Sequence, residues 1–165
     1  MILIALGGNL NSPVGTPANT LDAALAALAQ DGANIEAVSP YYVTPAWPDP
    51  SDPPFVNAVA RLATAHNPEL LMARLHGIET RFGRVRSARN APRTLDLDLL
   101  DYHGIVQAGS PLLPHPRIAE RGFVLVPLAD IAPQWRHPVS GATVQELLAA
   151  LPPQARQLEK LTSRI

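Results

Sequence analysis

The most regular hydrophobic pattern in the chain is Arg93-Thr94-Leu95-Asp96-Leu97-Asp98-Leu99-Leu100-Asp101. Leucines take alternate positions, and Asp96 and Asp98 lie between them. Side chains alternate between the two faces of a β-strand, so the pattern predicts a strand with buried leucines and both carboxylates on the opposite face. Residues two apart on one strand face are separated by about 7 Å. The strand therefore presents a pair of neighbouring acids.

The segments on either side of this strand predict further strands and helices. In chain order they are a strand at 2–6, a helix at 17–29, strands at 34–43 and 55–64, a helix at 67–82, the strand at 94–101, a short strand at 105–108 and a last helix at 144–151. The order β-α-β-β-α-β is typical of a ferredoxin-like split βαβ arrangement. We therefore expect an α/β (α+β) fold with a ferredoxin-like open sheet, mainly antiparallel, and helices on its faces. A single domain over residues 1–165 is expected.

Length and composition exclude several classes of protein. The 165 residues fit one domain and leave no room for a fused second one, so a monofunctional protein is expected. Apolar runs of about ten residues are too short to span a membrane, and the N-terminus lacks the basic region of a signal peptide. The absence of cysteine excludes disulfides and thiolate metal sites. Cytoplasm is the default compartment, and a net charge of −1 excludes a nucleic-acid-binding polycation.

Basic residues are concentrated in one part of the chain. Six of the 12 arginines lie between residues 74 and 93, where Glu79 is the only acid. The local charge of +5 predicts an anion site; a solvated face is the alternative. Arg84, Arg86 and Arg89 belong to a loop that begins at Gly83 and contains small residues, which suits a lid. The phosphate-binding P-loop motif is absent from the sequence.

The acid pair and the arginines together indicate phosphoryl chemistry. Two divalent cations about 3.5–4 Å apart could share Asp96 and Asp98, and oxygen ligands without cysteine favour Mg²⁺ over zinc. Magnesium and arginine neutralise a phosphoryl group during its transfer. Three alternatives stay open: a solvated edge strand, a Mg-dependent nucleotidyl- or glycosyltransferase using Asp-x-Asp, and an RNA-binding ferredoxin-like module.

Aromatic residues and an amide fit a planar ligand. Phe55 and Asn57 share one face of a predicted strand, and Phe123 follows a cluster of His115, Arg117 and Arg121. Each of these residues taken alone fits an ordinary core or surface position. Together, two rings could sandwich a heterocycle while the Asn57 amide binds its donor–acceptor edge.

Several motifs are similar to those of one known family. They are Ala5-Leu6-Gly7-Gly8-Asn9-Leu10, Tyr42-x-Thr44-Pro45, Phe55-Val56-Asn57-Ala58, Gly83-Arg84-Val85-Arg86, Pro92 through Leu100, Pro114-His115-Pro116-Arg117 and Arg121-Gly122-Phe123. Over almost its whole length the chain resembles the 6-hydroxymethyl-7,8-dihydropterin pyrophosphokinase family. The resemblance implies transfer of an intact diphosphate from ATP to the hydroxymethyl group of the pterin, with release of AMP, in folate biosynthesis.

The resemblance also implies roles for individual residues. Two Mg²⁺ ions would be held by Asp96 and Asp98, which share the main catalytic work with Arg84, Arg86 and Arg93. The pterin would contact Thr44, Pro45, Ala46, Phe55, Asn57 and Phe123. ATP would contact Glu79, Arg84, Arg86, Arg93, His115 and Arg121. The family further implies a small cytoplasmic monomer that binds neither nucleic acid nor membrane, with three mobile loops at 10–16, 44–54 and 83–92.

The chain departs from the family pattern at three places. Gly8 replaces the more usual serine, and Asn90-Ala91 replaces a third-loop segment in which many relatives have a tryptophan. The second loop contains Ala46-Trp47 instead, so Trp47 is expected to supply a compensating aromatic cover.

Overall fold

Six strands form one sheet in the computed structural model, which describes residues 1–162. The elements in chain order are β1 (Ile2–Gly8), α1 (Pro17–Gln30), β2 (Asn34–Val38), β3 (Tyr42–Thr44), β4 (Phe55–Ala63), α2 (Pro68–Arg81), β5 (Asp96–Tyr102), a 3₁₀ turn (Ile118–Glu120), α3 (Gly122–Ile131), α4 (Val144–Ala150), α5 (Pro153–Arg156) and β6 (Glu159–Lys160). No helix within residues 1–162 combines the length and apolar character that a membrane span requires.

The sheet has the order β5-β1-β4-β3-β6, and β2 pairs with β4 beside β3. Each of these pairings is antiparallel. Helix α1 connects β1 to the β2–β3 segment, and α2 connects β4 to β5, so each helix joins strands that are not neighbours. This is the split βαβ arrangement, and the predicted ferredoxin-like open sheet is confirmed.

The single strand predicted at 34–43 is wrong, because the segment forms two strands. Pro40 has no N–H and cannot continue the ladder with β4. At the break, Ser39 replaces the lost pairing: its N–H donates to the Val59 carbonyl at 2.9 Å, and its Oγ accepts the Val59 N–H at 3.0 Å. The chain resumes strand geometry at Tyr42.

Two other predictions from the sequence differ from the structure. The predicted strand at 105–108 is wrong: Gln107 makes only an isolated bridge to Leu113. Pro111 and Pro114 flank Leu113 and have no N–H to extend the bridge. β1 also continues through Gly7 and Gly8, which the sequence had indicated as a turn.

Polar caps define the helix starts as expected. The Thr16 side chain accepts from the Asn19 N–H at the start of α1, and Asn67 accepts from the Leu70 N–H at the start of α2. Each cap is followed by a proline at the first helical position, where a missing N–H costs nothing.

The two faces of the sheet are covered differently. Helices α1 and α2 cover one face, where the alternating leucines of β5 pack with apolar residues of β1 and β4. On the other face Leu3, Val59 and Leu100 pack beneath α3 and α4. This second layer covers only part of the face. The remaining part, toward Gly7, Phe55 and Asp96, borders a cavity.

Candidate active site

A cavity of about 320 Å³ opens on the partly covered face of the sheet. Its walls come from the strand ends, the two long loops and the start of α3. The lining residues are Ala5, Leu6, Gly7, Thr44, Pro45, Trp47, Phe55, Asn57, Ala58, Asn90, Arg93, Asp96, Asp98, Arg117, Glu120, Arg121 and Phe123. The cavity thus combines aromatic rings, an amide, carboxylates and guanidiniums, as sites for small polar ligands do.

Strand periodicity carries the polar residues into this cavity. On β5, Leu100 packs under α3, and Asp98 and Asp96 follow on the same face toward the open end. On β4, Val59 lies in the same apolar layer, and Asn57 follows toward the cavity. On this face, each strand therefore changes from apolar to polar residues at the edge of α3. The polar groups lie on strands whose opposite face is packed in the core.

Gly7 forms the floor between the two polar strands. It pairs with Asn57 of β4 on one side and with Asp96 of β5 on the other. A Cβ at position 7 would lie 2.7 Å from Asn57 Oδ1, closer than such atoms approach. The missing side chain makes room for the amide, a role that depends on strand register and leaves no local pattern in the sequence.

The aromatic and amide groups lie at one end of the cavity. Asn57 is buried, and its Nδ2 donates to Thr44 Oγ1 at 2.7 Å. Guanidiniums stack near both rings: Arg93 Cζ lies 5.4 Å from the Phe55 centroid, and Arg121 Cζ lies 5.5 Å from the Phe123 centroid. Each arginine thus contacts an aromatic ring by a cation–π interaction. Each also contacts a carboxylate of the acid pair, so the two arginines lie between the aromatic end and the acid end of the cavity.

Arginines hold Asp96 from two directions. Arg84 Nη1 donates to Asp96 Oδ1 at 3.1 Å, and Arg93 Nη1 donates to Asp96 Oδ2 at 3.1 Å. Arg84 Nη1 also donates to the Leu95 carbonyl at 2.7 Å. These contacts fix the first acid of the pair and orient both guanidiniums toward the strand.

The negative charge of Asp98 is compensated by more distant groups than that of Asp96. Its Oδ2 lies 3.6 Å from Arg121 Nη1 and 4.0 Å from His115 Nε2. Burial, followed by the neighbouring Asp96 charge, raises the pKa of Asp98 from 3.8 to about 6. Burial and then Arg121 lower the pKa of His115 from 6.5 to about 4, so this imidazole is neutral at pH 7. Asp98 is therefore held by longer charge contacts than Asp96.

Glu79 lies behind the acid pair, on α2. Its Oε2 accepts from the Leu97 N–H and from Arg84 Nη1, each at 3.3 Å, and Arg86 Nη2 is 3.5 Å from its Oε1. Burial, and then the Asp96 charge, raise the pKa of Glu79 from 4.5 to about 7. The side chain is buried, whereas Arg86 is 66% exposed.

The donor set of the acid pair fits a hard divalent cation. Asp96 and Asp98 supply carboxylate oxygens on one strand face, and hard divalent cations take such oxygens as ligands. Within residues 1–162 no group of three or more His, Asp or Glu side chains is arranged to hold a metal. Asp96 and Asp98 are the residues that would hold such a cation.

The structure brings most of the predicted site residues to the cavity. Thr44, Pro45, Phe55, Asn57, Arg93, Asp96, Asp98, Arg121 and Phe123 line it. Ala46 is buried and does not line it. Glu79, Arg84, Arg86 and His115 also lie outside the lining, although they contact the acid pair directly or through one another. The ligand contacts of these residues stay predictions.

Other lining residues had weaker signals in the sequence. Trp47 and Asn90, singled out in the loops, both line the cavity, and the Trp47 side chain is 72% exposed. Arg117 and Glu120 form an ion pair on the 3₁₀ turn. Glu120 was missed, because a lone acid in a proline-rich segment has no periodic pattern.

The geometry disfavours the RNA-binding alternative. An RNA-binding ferredoxin-like module displays aromatic rings on adjacent central strands. β1 is the strand between β4 and β5, and its sequence contains no aromatic residue. The aromatic rings at the cavity come instead from the second loop (Trp47), the start of β4 (Phe55) and the start of α3 (Phe123).

Comparison with known proteins identifies related sequences. Residues 3–133 match the family model described as 7,8-dihydro-6-hydroxymethylpterin-pyrophosphokinase. Three bacterial relatives carry the name 2-amino-4-hydroxy-6-hydroxymethyldihydropteridine pyrophosphokinase. The one from Methylorubrum extorquens is 41% identical over 146 residues, covering 87% of this chain and 91% of the relative. The one from Pseudomonas aeruginosa is 40% identical over 153 residues, covering 92% and 91%. The one from Synechocystis is 38% identical over 148 residues, covering 88% and 73%.

Proposed function

The chain belongs to the 7,8-dihydro-6-hydroxymethylpterin-pyrophosphokinase family, and from this membership we propose that it is an ATP-dependent diphosphotransferase of folate biosynthesis. It transfers the diphosphate of ATP to the hydroxymethyl group of 6-hydroxymethyl-7,8-dihydropterin, giving AMP and the pterin diphosphate. The hydroxymethyl oxygen forms a bond to the β-phosphorus of ATP, and the bond from that phosphorus to the oxygen of AMP breaks.

One observation supports this activity most strongly. The cavity joins an aromatic and amide end to an end with two carboxylates and several guanidiniums. The first end suits a planar heterocycle with hydrogen-bonding edges. The second suits a polyphosphate with its cations. A substrate pair made of a pterin and ATP has the same two chemistries.

The pterin binds at the aromatic end. Phe55 and Phe123 enclose the ring, and Asn57 binds its edge with Thr44, Pro45 and Ala46 contributing from the neighbouring loop. The hydrogen bond from Asn57 to Thr44 fixes the amide orientation, which leaves Asn57 Oδ1 as an acceptor for ring N–H groups.

The phosphates bind at the charged end. Arg93 and Arg121 face the cavity, and Arg84 and Arg86 approach from the third loop. Guanidinium forks suit phosphate oxygens because they donate two parallel hydrogen bonds. With Glu79 and His115, these arginines position the nucleotide so that the hydroxymethyl group meets the β-phosphorus. Catalysis then rests on positioning and charge neutralisation.

Asp96 and Asp98 would hold two Mg²⁺ ions. When bound, magnesium neutralises charge on the phosphate oxygens and stabilises the bridging oxygen of the leaving group. The two carboxylates would orient this charge because both belong to one strand, β5, which is paired along its length with β1.

Three further properties belong to the same proposal. The whole chain forms one domain, acts as a monomer and works in the cytoplasm. No nucleic acid or membrane takes part in the reaction.

A product assay tests the activity. The protein is incubated with ATP, Mg²⁺ and the hydroxymethyl-dihydropterin, and nucleotides are separated by chromatography. AMP should appear only when the pterin is present; ADP in its place would contradict the proposal. Asp96→Asn and Asp98→Asn should each reduce turnover at least about a hundredfold, since the lost charge neutralisation amounts to several kcal/mol. Glu159→Gln, which alters an exposed acid of β6, is the control and should retain activity.

A further inference from the structure

Asn9 follows β1 and joins the two loops that border the cavity. Its Nδ2 donates to the Pro53 carbonyl at 2.9 Å, at the end of the second loop. Its Oδ1 accepts the Arg93 N–H at 2.8 Å, directly after the third loop (83–92), which we call the arginine loop. The residue is 3% exposed and does not line the cavity. One buried amide thus contacts the second loop near its end and the residue that follows the third loop.

Backbone contacts tighten this joint. The N–H groups of Asn9 and Leu10 both donate to the Arg93 carbonyl, at 2.9 and 3.1 Å. A Cβ at Gly8 would lie 2.5 Å from the Thr94 carbonyl oxygen, so only glycine allows the two segments to approach this closely. Any side chain at position 8 would require a shift of this backbone, and the arginine loop therefore ends directly against β1.

Each loop end that Asn9 holds is next to a group at the cavity. Pro53 precedes Phe55, at the aromatic end, by two residues. The Arg93 guanidinium donates to Asp96 Oδ2 at 3.1 Å and lies 5.4 Å from the Phe55 ring centroid. Asn9 therefore connects the backbone of Arg93, at the charged end, to the segment that leads into Phe55.

We propose that Asn9 is a positioning residue that couples the binding of the two substrates, so that nucleotide bound at the arginine end strengthens pterin binding at the aromatic end. The inference rests on the proposed function, which supplies the two ligands. Coupling between two sites is reciprocal, so the pterin strengthens nucleotide binding by the same factor. Asparagine suits this joint because its amide provides a donor and an acceptor.

The coupling factor is measured by titrating the pterin into the full chain, with and without a non-hydrolysable ATP analogue and Mg²⁺. The factor is the pterin Kd without nucleotide divided by the Kd with it, and the wild type should give at least about fivefold, the lower end for coupled sites. Asn9→Asp keeps the acceptor for the Arg93 N–H but loses the donor to Pro53, and Asn9→Ala loses both. Both variants should bring the factor to within about twofold of one.

Ser39→Ala is the matched control. Ser39 is also buried, and its Oγ joins Val59 and Pro40 by hydrogen bonds of 3.0 and 2.8 Å away from the cavity. This variant loses a comparable pair of bonds and should keep the wild-type factor. A merely structural role for Asn9 would leave the factor unchanged in the Asn9 variants.

Three results would overturn the inference: a wild-type factor near one, a wild-type factor retained by either Asn9 variant, or an equal loss in Ser39→Ala. A wild-type protein that forms no AMP in the product assay would instead overturn the proposed function. Failure of the inference and failure of the proposed function are therefore distinguished by two separate measurements.

Discussion

Asn57 shows how much a single residue depends on its neighbours. Its amide is buried against Thr44, and only the absence of a side chain at Gly7 leaves space for Oδ1. On the proposed function, this oxygen binds the pterin edge. The same amide lies on β4, whereas the arginines proposed to bind the phosphates lie outside the strands.

Asn57→Ala should therefore weaken pterin binding much more than ATP binding. An unpaired buried edge costs about 1–3 kcal/mol, which corresponds to a loss of roughly tenfold to a hundredfold in pterin affinity. Calorimetry with each ligand separately, using a non-hydrolysable ATP analogue, measures the difference. Equal losses for both ligands would indicate a folding defect and contradict the assignment.

Glu79 provides a prediction about pH. Its pKa is about 7 in the folded protein against 4.5 ordinarily, so between these values the folded protein binds more protons than the unfolded chain. Its contribution to stability is present below pH 4.5 and is lost as the pH rises toward 7. The free energy of unfolding of the wild type, relative to Glu79→Gln, should fall across this window by up to about 3 kcal/mol, at about 1.4 kcal/mol per pKa unit.

Urea denaturation of both ligand-free proteins at pH 4.5, 6 and 8 measures this difference. Subtracting the free energy of unfolding of the variant removes the contributions of other titrating groups. One of these is His115, whose lowered pKa makes the free energy of unfolding rise with pH. A difference that stayed flat, or grew with pH, would show that Glu79 is not held in its protonated form by burial.

Sequence predicted some of these residues and not others, for a physical reason. The alternation around Asp96 and Asp98 reports a strand face, so both acids could be predicted to lie together. Gly7 and Asn9 act through neighbours on other strands and loops. Their roles depend on strand register and loop paths, which no local pattern contains.

At the scale of elements, the arginine loop contains two differently placed guanidiniums. Arg84 is 14% exposed and contacts Glu79, Asp96 and the Leu95 carbonyl, whereas Arg86 is 66% exposed. We expect the loop to close when both substrates are bound, which brings at least one of these arginines onto the triphosphate. Arg84 would first exchange its contact with Asp96.

Arg84→Ala or Arg86→Ala should lower kcat at least about a hundredfold, the effect of losing one preorganised charge contact, while the pterin Kd changes little. Single-turnover kinetics beside equilibrium titration separates the chemical step from binding. Arg89→Ala, an exposed arginine of the same loop, should stay near the wild-type rate. A loss confined to binding in both variants would contradict the prediction.

Helix boundaries were predicted more closely than strand boundaries. The caps Thr16 and Asn67 act within one turn, and local sequence contains the whole interaction. Strand pairing depends on a partner distant in sequence. Pro40 divides one predicted strand into two. After Tyr102, the alternation of residues does not show which partner Gln107 meets, and that partner segment contains prolines that limit the pairing to one bridge.

At the scale of the whole molecule, the two sheet faces have separate tasks. α1 and α2 cover one face completely enough to provide the main core, and α3 covers only part of the other. The uncovered part becomes the cavity, on strands whose opposite face is packed. The ferredoxin-like order was predicted from the sequence, whereas α3, and the part of the face that it covers, was not.

The central claim is that ATP loses its β- and γ-phosphates together to the pterin. The most direct test uses ATP labelled with ³²P at the β-phosphorus, reacted with the hydroxymethyl-dihydropterin and Mg²⁺ and separated into nucleotide and pterin fractions. The account predicts that the transferred label lies wholly in the pterin product and that the nucleotide product is unlabelled AMP. Label that remained in the nucleotide product as ADP would mean transfer of the γ-phosphate alone and would contradict the account.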